Sequence, residues 1–158
     1  MIDKIVDKLI EVLNTELGPN SSASIKLGLV TNKSLTDLSP NKTVAVIEGQ
    51  IEPQIFEIGI KQPATWLYQP IELQLLCKGT ENEGKSARRE LISLIRQTIY
   101  KDSVNSQLLA LEDTIGDEKE KVLKYNIIRI RTDSGLLKGQ FIYIAVFQLS
   151  FTTEINVI

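Results

Sequence analysis

The most constraining stretch of this chain is Ile71–Lys78, IELQLLCK, where apolar and polar residues alternate. Ile71, Leu73, Leu75 and Cys77 point one way and Glu72, Gln74 and Lys78 the other, with Leu76 the single departure. Side chains of a strand alternate between the two faces of its sheet, so this strand has one dry face and one wet face. Strands of a parallel sheet covered on both sides read instead as continuous apolar runs. The pattern therefore predicts an antiparallel sheet with a single covered face.

The next eight residues, GTENEGKS, fit a phosphate-binding loop, with Gly79, Gly84, Lys85 and Ser86 in the motif positions. In that reading backbone amides and Lys85 hold a nucleotide triphosphate and Ser86 meets magnesium. Three features oppose it. Glu81 and Glu83 would place two carboxylates where a cradle must attract anions. The preceding strand has a wet face. No later apolar strand ends in an aspartate suited to hold magnesium. Thr80-x-x-Glu83 also reads as a capping box that opens a helix, with Gly79 serving a tight strand-to-helix turn.

Composition removes further chemistry. The chain has 158 residues, net charge −2, no histidine and one cysteine, Cys77. An intramolecular disulfide, the usual zinc sites and Ser-His or Cys-His couples are thereby excluded, and no two carboxylates form a convincing catalytic pair. The balance of charge is not the basic footprint of a nucleic-acid binder. The N-terminus, MIDKIVDKLIEVL, mixes charges with its apolar residues, so it reads as an amphipathic helix and not as an export signal, with cytosolic synthesis the expectation. No apolar run is long enough for a membrane-spanning helix.

Along the chain, Ile2, Ile5, Val6, Leu9, Ile10, Leu13 and Leu17 recur at helical spacing, and Gly18-Pro19 is the expected stop. The loop Thr31–Lys42, which contains Leu35 and Leu38, is long for a compact domain and is a candidate contact arm. Short strands are expected over Val44–Ile47 and Ile55–Ile60, with a turn at Gly49 and Pro53. Trp66 and Tyr68 lie in a proline-containing connector, Lys61–Pro70, either as an interface anchor or as a cap on the core. A second helix runs from about Lys85 to Tyr100, basic on its outer side through Lys85, Arg88, Arg89 and Arg96. Signals conflict over Asp102–Lys121, and DTIGDEKEK reads as a charged loop.

Two long strands close the chain, Val122–Thr132 and Gln140–Thr153, joined by DSGLLKG. In the last strand Phe141, Tyr143, Phe147, Leu149 and Phe151 line one side. Ile142, Ile144 and Val146 make the other side apolar as well over its first half, which calls for a second covering layer. Together these features predict one α+β domain over residues 1–158: a mostly antiparallel twisted sheet with an N-terminal helix and a central helix packed on one face. The interface candidates are Leu35, Leu38, Trp66, Tyr68, Ile142, Ile144 and Val146.

The order of elements, with IELQLLCKG, GKSARREL, RIRTDSG and FIYIAVFQLSF as its landmarks, resembles the tail terminator (tail completion or minor tail) proteins of long-tailed bacteriophages. The likeness covers nearly the whole chain and rests on layout, so no individual residue role is carried over. It implies a structural virion protein with no enzymatic activity and no cofactor, made in the host cytoplasm and residing in the neck region of the tail. It implies a homohexameric ring that ends tail-tube polymerisation and contacts both the tube protein and the head–tail connector protein. DNA would pass through the ring without specific binding, and no membrane is involved. Tail-tube and contractile-injection proteins share that fold, so the likeness does not fix the ring at the head end. The other readings of the chain are a small nucleotide-binding enzyme using the GTENEGKS loop and a domain that binds another protein.

Overall fold

The computed structural model of the chain describes residues 1–20, 25–29, 42–48, 52–55, 65–137 and 139–158. In chain order these form α1 (Ile2–Asn20), β1 (Ile25–Leu29), β2 (Lys42–Glu48), β3 (Glu52–Ile55), β4 (Thr65–Lys78), α2 (Glu81–Ile99), α3 (Asp102–Leu109), β5 (Glu112–Ile115), β6 (Glu118–Leu137) and β7 (Gln140–Val157). The strands make one sheet in the order β1-β2-β4-β7-β6-β5. β3 shares the edge of β4 that β2 also uses. β1 runs parallel to β2, and every other pairing is antiparallel. The expected α+β architecture is the observed one.

The alternation read at Ile71–Lys78 is realised side chain by side chain. Ile71, Leu73, Leu75 and Cys77 are fully buried, and Glu72, Gln74 and Lys78 are partly exposed. The register partners of the four buried residues on β7 continue that side as Leu149, Phe147, Ala145 and Tyr143, and Phe151, opposite Gln69, extends it. All three helices lie on this face, α1 against β1 and β2, α2 against β4 and β7, and α3 against β6. Helical spacing puts Ile5, Leu9, Leu13 and Leu17 of α1 into the same cluster as Leu91, Ile95 and Ile99 of α2. Truncating a fully buried aromatic there, such as Phe147 to alanine, costs about 3–5 kcal/mol.

Several local expectations change. The strand begins at Thr65, so Trp66, Tyr68 and Pro70 belong to β4 and not to a connector. Pro70 is tolerated because it falls where the neighbour changes from β3, which ends its pairing at Tyr68, to β2, which begins at Ile71. Pro53 likewise lies in β3, paired with Leu67, and not in a turn. Helix α1 continues through Gly18-Pro19 to Asn20. The conflicting segment Asp102–Lys121 resolves into α3 and a hairpin whose charges pair across its strands, as Lys119 Nζ does with Glu112 Oε2 at 2.9 Å. β6 continues to Leu137, so most of DSGLLKG is strand. The expected arm Thr31–Lys42 lies outside the described residues except for Lys42, which opens β2, and Ile55–Ile60 does so except for Ile55.

Two tyrosines fix the end of α2 to the sheet. The Tyr125 hydroxyl donates to the Ile99 carbonyl at 2.7 Å, occupying one of the carbonyls that a helix end leaves without a partner. The Ile127 amide donates to the Tyr100 hydroxyl at 2.9 Å. Tyr125 stacks between Tyr100 and Phe151, at centroid distances of 6.2 and 5.2 Å. Burial, with Tyr100 as a smaller contributor, pushes the Tyr125 phenol up from 10.0 to about 12. The unfolded chain releases this proton near pH 10, whereas the folded chain keeps it until about 12. The stability that Tyr125 contributes is therefore complete below that range and is lost as pH rises through it. Tyr125→Phe is expected to cost about 1–2 kcal/mol at neutral pH, because a buried carbonyl loses its donor. In urea titrations repeated from pH 9 to pH 12, the variant should show a shallower alkaline decline than the parent, and an unchanged decline would refute this account.

Candidate interaction surfaces

The Gly79–Ser86 segment is built as a helix start. Only Gly79 and Thr80 separate β4 from α2, so no loop is left to wrap a phosphate. Gly79 has φ 152°, a conformation that side chains resist. Thr80 occupies the N-cap position as expected, but its hydroxyl makes no capping hydrogen bond. The Gly84 amide donates to the Thr80 carbonyl at 2.8 Å, within the first helical turn. Lys85 Nζ bonds Glu81 Oε1 at 2.8 Å, and that bond raises the lysine and lowers the glutamate from their ordinary pKa values. Ser86 is exposed on the helix. Gly84 has a packing explanation: a Cβ there would stand 2.1 Å from Cδ2 of Tyr143. The glycine lets the helix and the ring meet.

The remaining described candidates share the other face of the sheet. Leu76 faces Ile144, Gln74 faces Val146 and Lys78 faces Ile142 across β4 and β7. Leu76 and Ile142 are buried yet stand apart from the core cluster under the helices, while Ile144 and Val146 are half-buried. Trp66 and Tyr68 lie on this face too, half-buried, toward the other end of β4 and opposite Glu154 and Thr152. Trp66 Nε1 donates to Glu154 Oε1 at 3.4 Å. Glu72 and Gln74 with Gln148 and Ser150 separate the two groups. The structure thus brings Ile142, Ile144 and Val146 together with Leu76, and leaves Tyr68 roughly 20 Å and Trp66 roughly 26 Å from Val146 by strand rise. Leu35 and Leu38 lie outside the described residues.

Three features were missed in the sequence. At the tip of the β6–β7 hairpin Leu136 faces Phe141, and they are 65% and 53% exposed. Alternation assigns Phe141 to the core side, but the helices end before reaching it. Near the opposite end of the same hairpin, the last residue of β5 is Ile115, and the end of β7 carries Val157, both largely exposed. Finally, a groove of about 490 Å³ runs between α2 and β6. Lys85, Arg88, Arg89, Ile92 and Arg96 form one wall, with Thr132 on the other. Arg88 is held in place: its Nη1 donates to the Asp133 carbonyl at 2.7 Å and its guanidinium lies 5.6 Å from the centre of the Tyr143 ring. The helix charges were legible in the sequence, but the wall that makes them a groove lies far along the chain.

No family model and no curated protein matches the chain.

Two measurements test this description. Gly84→Ala should destabilise the fold although alanine is the better helix former: the clash with Tyr143 costs about 1–3 kcal/mol, against about 0.5–1 kcal/mol gained in propensity. An unchanged or raised urea midpoint would show that the contact is not tight. Saturating magnesium-ATP should leave the melting temperature in place, whereas a true site would add ~2.7 kcal/mol at 100 times its dissociation constant.

Proposed function

We propose that this chain is a structural virion protein of a long-tailed bacteriophage, a tail terminator. It assembles as a homohexameric ring on the end of the tail tube, stops tube polymerisation and joins the tail to the head connector. The observation that carries this reading is the β6–β7 hairpin. Its strands have 20 and 18 residues, where ordinary strands have about 5 to 6. Such a hairpin is longer than the helices of one subunit can cover, and it ends in exposed apolar pairs. Apolar surface gathered at defined places, away from the core, marks sites of association.

A ring adds a further requirement. Each subunit must offer two unlike surfaces that meet head to tail and close. The tip at Leu136 and Phe141 and the Ile115–Val157 end lie at opposite ends of the hairpin and offer two separate surfaces. A formal charge of −2 leaves no strongly basic surplus to hold DNA that must slide through the pore.

Mass photometry and negative-stain imaging of the purified protein, alone and with tail tubes, test the proposal. Six-membered rings in solution or caps on tube ends are expected. A monomer at every concentration that also fails to bind tube ends would overturn it.

A further inference from the structure

Of the acidic residues of the β5–β6 hairpin, Glu120 accepts hydrogen bonds from Gln69 and Thr153, and the other four fall into two groups. Asp113 is taken by Lys4 at 2.8 Å, a contact that holds its carboxyl below the ordinary range, and Glu112 is taken by Lys119 at 2.9 Å. Asp117 and Glu118, at the turn itself, are exposed and form no ion pair among the described residues. The turn is tied to the end of β7, where the Ile158 amide donates to the Asp117 carbonyl at 2.7 Å and Glu118 pairs with Val157, while a Cβ added to Gly116, at φ 61°, would meet nothing within 4 Å. Ile115, 71% exposed, sits directly across the ladder from Glu118. This is the exposed end of three adjacent strands, with Ile115, Val157 and Ile158 as apolar side chains beside two carboxylates that form no ion pair among the described residues.

The groove between α2 and β6 is its complement. Lys85 is neutralised by Glu81 and Arg88 is engaged with the sheet, which leaves Arg89 and Arg96 as exposed guanidinium groups without an ion pair among the described residues. Ile92 lies among them, half-buried. At about 490 Å³ the groove is within the ~300–1,000 Å³ that accepts a compact ligand, enough for the side chains of a tight turn.

A chain cannot place its own turn in its own groove. Glu118 and Thr132 lie on one strand, fourteen residues apart in number and roughly 45 Å apart by strand rise. We infer that the Ile115–Glu118 turn of one copy docks into the α2–β6 groove of the next, with Asp117 and Glu118 on Arg89 and Arg96 and with Ile115 against Ile92. This rests on the ring reading above and names the contact that closes the ring. Arginine suits the role because its planar fork pairs bidentately with carboxylate.

The test uses two full-length charge reversals, one carrying Arg89→Glu and Arg96→Glu, the other Asp117→Lys and Glu118→Lys. All four positions are exposed, and unchanged circular-dichroism melts would verify folding. By mass photometry each variant alone should lose the hexamer. An equimolar mixture should recover it, because an acidic groove accepts a basic turn and the reverse, in an alternating ring of even number. The chain carrying all four changes should form the hexamer by itself.

If the parent forms hexamers and either reversal alone does so equally well, or the mixture stays monomeric, the docking is wrong while the ring stands. If the parent forms no ring in solution or on tube ends, the ring reading fails and the contact with it. If a short DNA duplex binds the parent at 0.15 M salt and binding vanishes in the Arg89→Glu, Arg96→Glu variant with its hexamers intact, the groove serves nucleic acid and the docking is refuted.

Discussion

The register between β4 and β7 is the constraint on which the remaining structure depends. From Thr65 to Lys78 every residue of β4 has a partner on β7, without a bulge. Side chains alternate with period two, so a slip of one residue would turn Ile71, Leu73, Leu75 and Cys77 to water and bring Glu72 and Gln74 under the helices. The helices therefore have only one face on which to pack. A buried polar contact marks the far end of the same register. Gln69 Nε2 donates to Thr153 Oγ1 at 3.0 Å and to Glu120 Oε1 at 2.5 Å, joining β4, β7 and β6. The amide's two donor bonds tie the three strands together, while its buried Oε1 finds no hydrogen-bond partner among the described residues and remains a cost.

On that platform α2 is fixed at two points. Its first turn lies against Tyr143 of β7 through the absent side chain of Gly84, and its last turn is bonded to Tyr125 of β6. The helix thus passes from one strand to the next. The gap beside it, between the attachment points, is the basic groove. β6 contributes to that shape with irregularities between Val122 and Lys124 and between Ile127 and Arg129, where bulges bend and twist a strand. The groove follows from how the fold is held, and its charge follows from which helix positions face the gap.

What was legible in the sequence was what depends on local period. The stripe of α1, the alternation at Ile71–Cys77 and the two-sided apolar run at Ile142–Val146 correspond to burial in the structure. What was not legible depends on partners distant in sequence. Gly84 reads as a motif glycine because nothing near it shows that Tyr143 will occupy its vacant side. DTIGDEKEK reads as a loop because the Lys119–Glu112 and Lys121–Glu154 pairings that let charged residues form strands appear only once the sheet exists. Phe141 reads as core because parity says nothing of where a helix ends. Lys61–Pro70 reads as a connector because the exchange of β3 for β2 that lets Pro70 stand in a strand is a matter of topology.

The distribution of charge also restricts how copies of this chain can associate. A two-fold dimer makes each surface meet itself, so a pair formed through the α2–β6 groove would bring Arg89 and Arg96 against their own counterparts. A pair formed through the β5–β6 turn would oppose Asp117 and Glu118 to themselves. Like charges brought together in this way suppress the wrong partner. Head-to-tail contact escapes the penalty because it sets the unlike ends of β6 against each other. A molecule close to neutral overall has little long-range field to keep copies apart, so in the proposed ring it is the separation of its charges that would select the geometry of contact.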